Sequence, residues 1–292
     1  MKLLVFGSLN IDHTYHLPHL VKEGETLAST SYSKNEGGKG FNQAVALAKA
    51  GLDISFAGAI GKDGLFLQEY LQSIGIDTAH IQVLDVPTGH AIIQVDAEGR
   101  NSIFLYGGAN QAITEEHINQ VLSHFQAGDY ILLQNEISLG ESILRKAHEK
   151  GMHIILNPSP ISSELLAWPL ELVDWFILNE VEGRDLTGCT DPDAILEALL
   201  ARFSSAHIVL TMGEKGAIYA DAACRIRQDA IPAHVVDTTA AGDTFTGYFF
   251  AAMLSSKTPA DALRIAAAAA SLAIAKPGAA KSIPWAKEIS IQ

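Results

Sequence analysis

Apolar residues cluster in short runs at 3–6, 54–57 (broken by Ser55), 131–133, 154–156, 175–178 and 208–210, the length of strands buried on both faces. Between the runs the period becomes helical. Phe41, Ala44, Val45 and Ala48 fall at i, i+3, i+4 and i+7, and Ile195, Leu196, Leu199, Leu200 and Phe203 follow Asp191-Pro192, a cap and first-turn pair. Alternation at this spacing predicts an α/β fold, a mostly parallel central sheet flanked by helices on both faces. Such sheets bind ligands beyond the carboxyl ends of their strands. The polar residues following each run therefore become candidates: Ser8 and Asn10, Asn135 and Glu136, Asn157, Asn179 and Glu182, Thr211 and Gly213.

Residues 11–36 and 86–106 break the rhythm. In the second, Ala91-Ile92-Ile93-Gln94-Val95 and Ser102-Ile103-Phe104-Leu105-Tyr106 flank a turn at Ala97-Glu98-Gly99-Arg100 and read as a hairpin. The division expected is an α/β core of 1–10, 37–85 and 107–292 with a small inserted β-sheet lid from 11–36 and 86–106, of the kind that shields a reaction from water. Alternate apolar residues on the hairpin (Ala91, Ile93, Val95, Ile103, Leu105) exceed what so small a sheet can bury alone, which predicts a homodimer through the lid.

With 292 residues, 48% of them hydrophobic, the chain can bury a large core, and disorder is excluded. The excess of Asp and Glu, a net charge of −13, disfavours nucleic acid or an anionic membrane as a broad-surface partner, while leaving a local pocket free to bind a small anion. The N-terminus lacks the pattern of a signal peptide, no stretch reads as a membrane span, and the two cysteines, Cys189 and Cys224, form no C-x-x-C pair. A soluble, cytoplasmic protein is expected, with both thiols filling space. His13, His16 and His19 recur every third residue, but on a strand His13 and His16 face opposite ways, which argues against zinc.

Two stretches carry chemistry. In Val236-Asp237-Thr238-Thr239-Ala240-Ala241-Gly242-Asp243-Thr244 a turn of small residues runs into an apolar helix, presenting unpaired N–H groups and a positive dipole end to an anion. Asp243 is then either a helix-start carboxylate or a general base beside a phosphate. In Asn35-Glu36-Gly37-Gly38-Lys39-Gly40-Phe41-Asn42-Gln43 three glycines precede a helix, which is either a tight loop or a place where the backbone approaches a polyhydroxylated ligand with Lys39 and Asn42 as donors. It is no Walker A loop, because Gly40 follows Lys39, and Gly7-Ser8-Leu9-Asn10 lacks the spacing of a dinucleotide fingerprint. Asn179-Glu180-Val181-Glu182 has the form of a capping box.

Gly37-Gly38-Lys39-Gly40-Phe41-Asn42-Gln43-Ala44 and Asp237-Thr238-Thr239-Ala240-Ala241-Gly242-Asp243-Thr244-Phe245 closely resemble the two signatures of the ribokinase branch of the PfkB carbohydrate kinases. Gly7-Ser8-Leu9-Asn10-Ile11-Asp12, Asn179-Glu180-Val181-Glu182, Thr211-Met212-Gly213-Glu214-Lys215-Gly216 and Gly278-Ala279-Ala280-Lys281-Ser282 extend the resemblance over nearly the whole chain. It implies ATP-dependent phosphorylation of a small sugar, D-ribose foremost, with a nucleoside or other sugar kinase and a non-catalytic sensor as the alternatives. By resemblance, Asn10, Asp12, Gly38, Lys39, Asn42 and Glu136 hold the sugar. Asp243 is the base, and Ala240, Ala241, Gly242 and Asp243 form the anion hole. Asn179, Glu182, Thr211, Gly213, Gly216 and Gly242 serve the nucleotide and Mg²⁺, with the alanines around Ala267 beside the adenine. Asp237, Thr239, Ala273, Lys276, Gly278 and Ser282 surround K⁺.

Overall fold

The computed structural model describes residues 1–290. In chain order its strands and helices are β1 (Leu3–Phe6), β2 (Asn10–His16), β3 (Ser31–Gly37), α1 (Lys39–Lys49), β4 (Ser55–Gly61), α2 (Leu65–Ser73), β5 (Asp77–Leu84), β6 (Gly89–Val95) and β7 (Asn101–Tyr106). There follow α3 (Glu115–Leu122), β8 (Tyr130–Gln134), α4 (Gly140–Glu149), β9 (His153–Asn157), β10 (Trp175–Asn179), α5 (Glu180–Thr187) and α6 (Pro192–Arg202). The last are β11 (His207–Thr211), β12 (Ala217–Ala220), β13 (Arg225–Gln228), α7 (Ala241–Leu254) and α8 (Pro259–Ile274).

Nine strands form one sheet in the order β13-β12-β11-β10-β9-β8-β1-β4-β5, parallel apart from β12, which pairs antiparallel with both β11 and β13. Period-two alternation splits its apolar side chains between two cores. Leu3, Val5, Leu132, Ile155, Ile177 and Val209 pack under α1, α7 and α8. Leu4, Phe6, Ile131, Leu133, Ile154, Leu156, Phe176 and Leu178 face the opposite layer with α3, α4 and α6. Six strands were legible as apolar runs. The edge strand β5, with alternating exposure, and the β12–β13 extension were not.

The strand order reverses at β1, whose neighbours are β4 on one side and β8 on the other, and this reversal opens a crevice at the carboxyl ends. Helices α1 and α7 both begin there. Asp191 caps α6 by accepting from the Ala194 N–H, with Pro192 in the first turn, as its sequence indicated. The alanines of α8 lie mostly buried against α7, where small side chains let the two helices approach closely.

The remaining strands form a separate sheet ordered β3-β2-β6-β7, with β2 and β6 parallel and the outer pairings antiparallel. Its register sets Ala91 opposite Leu105 and Ile93 opposite Ile103, so these apolar residues share one face. On edge strand β7, Ile103, Phe104, Leu105 and Tyr106 are all more than half exposed. Two small expectations change. Cys224 is exposed rather than filling space, because it sits in the β12–β13 turn, and Cys189 is half-buried. His13 and His19 bond separately, to Tyr32 and Glu25. No helix among the described residues is long and apolar enough to cross a membrane.

Candidate active site

The glycine loop is built by close approach. Gly38, at φ 98°, is the residue before α1, and a Cβ there would lie 2.9 Å from the Ser8 carbonyl oxygen and 3.0 Å from the Asn10 nitrogen. The Phe41 N–H donates to the Ser8 carbonyl at 3.0 Å, locking the start of α1 onto the end of β1. That placement gathers Asn10, Asp12, Lys39 and Glu136. Ser8 Oγ donates to Glu136, which also accepts from the Lys39 N–H at 3.1 Å. Asn10 Oδ1 accepts from Asn110 at 2.7 Å, so the Asn10 amino group remains as a donor, and Asn110 is itself fixed on the backbone of Leu9.

Asp12 differs from its neighbours: among the described residues its carboxylate has no hydrogen-bond donor. Burial, then the carboxylates of Glu136 and Glu36, push its pKa up to about 7. Burial likewise raises Glu136, against the opposing pull of Lys39 and the Ser8 hydroxyl. Burial works against the Lys39 charge, but Asp243, Glu136 and Glu182 prevail and hold its pKa above the ordinary lysine value. One ammonium thus sits among three carboxylates.

At the start of α7, Ala240 takes the left-handed conformation at φ 59° and Asp243 falls in the first turn, largely buried. The Asp243 carboxylate is held by two amides of α1: Asn42 Nδ2 reaches Oδ2 at 3.1 Å and Gln43 Nε2 reaches Oδ1 at 2.9 Å. The Ala241 N–H donates to the Thr238 carbonyl at 3.2 Å, whereas Gly242 and Asp243, in the same first turn, have no backbone acceptor for theirs among the described residues. A cleft of about 240 Å³ opens here, lined by Lys39, Asn179, Glu182, Thr211, the Ala240-Ala241-Gly242-Asp243 turn and others. Gly213 and Gly216 do not line it. They shape the turn after β11, both at positive φ.

The capping box is present: the Asn179 side chain accepts from the Val181 and Glu182 N–H groups, and Glu182 Oε2 accepts from the Asn179 N–H, each at 2.9 Å. Glu182 Oε1 has no protein donor among the described residues and Glu182 lines the cleft, which suits a carboxylate reaching Mg²⁺ through water. Asp237 lies against the closing segment, with Oδ1 accepting from Thr239 N and Oγ1 and Oδ2 from the Gly278 N–H at 2.9 Å. These bonds prevail over burial and lower its pKa. The Ala273 carbonyl accepts the Lys276 N–H, and the Ser282 hydroxyl donates to Ala279. Asp237 has no basic partner among the described residues, and a carboxylate among hydroxyls and carbonyls is a donor set that fits a monovalent cation.

Sequence reasoning missed Gln43 and Asn110, whose side-chain polar atoms are committed inside the protein, and Gln134, whose amino group is committed to Gln43. Two of them sit directly beside residues it named, and that adjacency was the available signal.

An oriented carboxylate beside free helix-start N–H groups, at the crevice of a doubly wound sheet, is the arrangement of a phosphoryl-transfer enzyme. The chain belongs to the pfkB family of carbohydrate kinases, whose model matches residues 1–286. It is 36% identical over 300 residues to the ribokinase of Haemophilus influenzae, covering 98% of this chain and 96% of that one. It is 31% identical to the deoxyribokinase of Salmonella typhi, covering 97% and 96% respectively. Arabidopsis thaliana ribokinase, solved with ribose and ATP, superposes with a TM-score of 0.86 at 34% identity, covering 99% of this chain and 97% of that one.

Proposed function

We propose that this carbohydrate kinase transfers the γ-phosphoryl group of ATP to D-ribose, giving D-ribose 5-phosphate. The observation that carries the reading is the pair of carboxylates at the crevice: Asp243, held by α1 at a helix start, and Asp12, which has no donor among the described residues. A sugar with adjacent hydroxyls supplies what Asp12 lacks, while Asn10, Lys39 and Asn42 donate to its oxygens and Glu136 holds the loop at Gly38. Asp243 then takes the proton of the attacking hydroxyl as that oxygen bonds to phosphorus and the bridging oxygen leaves with ADP. The N–H groups of Gly242 and Asp243, at the dipole end of α7, stabilise charge on the phosphoryl oxygens, and Lys39 reaches the same cleft. Ala240 and Ala241 shape the turn.

Glu182 would hold Mg²⁺ through water beside Asn179, and bound Mg²⁺ would neutralise phosphate charge. Asp237, Thr239, Gly278 and Ser282, with the carbonyls of Ala273 and Lys276, would hold K⁺, which would brace the turn ahead of α7. Thr211 borders the nucleotide, Gly213 and Gly216 shape the turn that follows it, and Ala267 of α8 lies on the adenine side. The small sheet, 11–36 and 86–106, serves as lid on the core of 1–10, 37–85 and 107–292, and its exposed apolar strand β7 pairs two copies into a homodimer. Two unpaired thiols suit a reducing cytoplasm.

The Salmonella typhi relative favours deoxyribose as a second acceptor. A coupled assay of ADP release with ribose, deoxyribose, fructose and nucleosides tests both. The highest kcat/KM is expected with ribose, and a nucleoside turned over faster than either pentose would reject the reading.

A further inference from the structure

We infer that Gln43 is a positioning residue that aims the Asp243 carboxylate, as the middle member of an amide relay running from Gln134 through Gln43 to Asp243. The inference rests on Asp243 being the base.

Gln43 is fully buried, so each polar atom of its side chain needs a partner, and each has one. Its Nε2 donates to Asp243 Oδ1 at 2.9 Å and to Asn157 Oδ1 at 3.0 Å, and its Oε1 accepts from Gln134 Nε2 at 2.7 Å. These contacts distinguish the two ends of the amide. Turned over, Gln43 would set its oxygen against the carboxylate and its amino group against that of Gln134. The amides on either side of Gln43 sit at strand ends of the sheet. Gln134 ends β8 and Asn157 ends β9, and the Asn157 amide is fixed by donating to the Ile177 carbonyl at 2.9 Å.

The two residues that grip Asp243 are differently placed. Asn42 Oδ1 is buried without a donor among the described residues, so Asn42 has a bond to gain by turning to a sugar hydroxyl. Gln43 has none to gain. When substrate engages Asn42, Gln43 is the donor left holding the base. A neutral amide suits this task, because a cation here would weaken the base and a carboxylate would force a proton onto the pair.

The test compares Gln43→Met, Gln43→Glu and Asp243→Asn with the wild type in kcat, both KM values, the pH profile of kcat and sugar-induced thermal shift. For Gln43→Met, kcat is expected to fall ~10- to 100-fold while both KM values stay within about threefold. Its acid limb moves to higher pH, because the carboxylate has lost a donor. Gln43→Glu keeps the shape of the side chain and moves that limb further, by about one pH unit or more. If the Met variant fails to fold, the Glu variant decides. A wild-type kcat and acid limb in either variant would overturn the inference. So would a loss of kcat accompanied by equal rises in both KM values and an unmoved limb, which marks a structural role alone. An active Asp243→Asn enzyme would instead overturn the underlying reading of the base.

Discussion

Asp12→Asn probes the sugar site with little change of shape. It replaces a carboxylate that has no donor among the described residues with a neutral amide at the same place. If Asp12 accepts hydroxyl hydrogen bonds, the substitution removes at least one charge-assisted bond, worth ~1.5–3 kcal/mol. At 1.36 kcal/mol per tenfold this predicts a KM for ribose raised roughly 10- to 200-fold. The KM for ATP should stay within about twofold, since Asp12 does not line the nucleotide cleft. The pH dependence adds a second reading. Because burial, Glu136 and Glu36 raise the Asp12 pKa to about 7, the free enzyme carries an increasing fraction of protonated carboxyl below that pH. The proton removes an acceptor, so the wild-type KM for ribose should climb as pH falls below about 7, by up to tenfold per unit, and level off above it. The Asn variant has no such titration, and its KM should be flat over the same range. Initial rates at saturating ATP between pH 5.5 and 8.5 supply both measurements. A wild-type KM that ignores pH, or an Asn variant that keeps the wild-type slope, would refute the assignment. A parallel rise in the KM for ATP would point to a folding defect.

Asp243→Asn should retain ribose and ATP binding by calorimetry while kcat falls at least ~10²-fold, and near-normal turnover would sink the general-base assignment. Replacing K⁺ by Na⁺ or Tris should lower activity several-fold if the oxygens around Asp237 bind the larger ion; equal rates in all three would reject that site. Lys49, buried at the far end of α1, donates to the Ala280 and Ile283 carbonyls at 3.0 and 2.8 Å. Lys49→Met leaves both unpaired, for a net loss of about 2 kcal/mol and a Tm roughly 3–4 °C lower by calorimetry; an unchanged Tm would contradict this. Burial, with Lys276 adding to it and Glu288 opposing, lowers the Lys49 pKa from 10.5 to about 8. The unfolded chain therefore binds more protons between those values, and the wild type should gain stability over the variant as pH rises from 8 to 10.5. Light scattering at micromolar concentration should give twice the chain mass, and a mass near one chain would defeat the lid dimer while leaving the kinase standing.

Local pattern alone determined the sheet class, because six buried strands needed continuous apolar side chains and the helices between them needed a 3.6 period. The glycine loop and the small-residue turn were legible for a similar reason: a backbone that must approach another group admits few residue types, as Gly38 against Ser8 demonstrates. Strand β5 and the β12–β13 pair escaped notice because half-exposed edge strands mix polar with apolar residues as loops do. Tertiary structure alone decided what each polar group faces. Asp243 meets Gln43 across 200 residues, Gln43 meets Asn157 across 114, and Lys49 meets Ile283 across 234. No local period encodes such pairings, because they depend on strand order and on two helices starting at one crevice. The same holds for charge. Asp12 in isolation is an ordinary acid, and its raised pKa exists only where folding buries it beside Glu136 and Glu36.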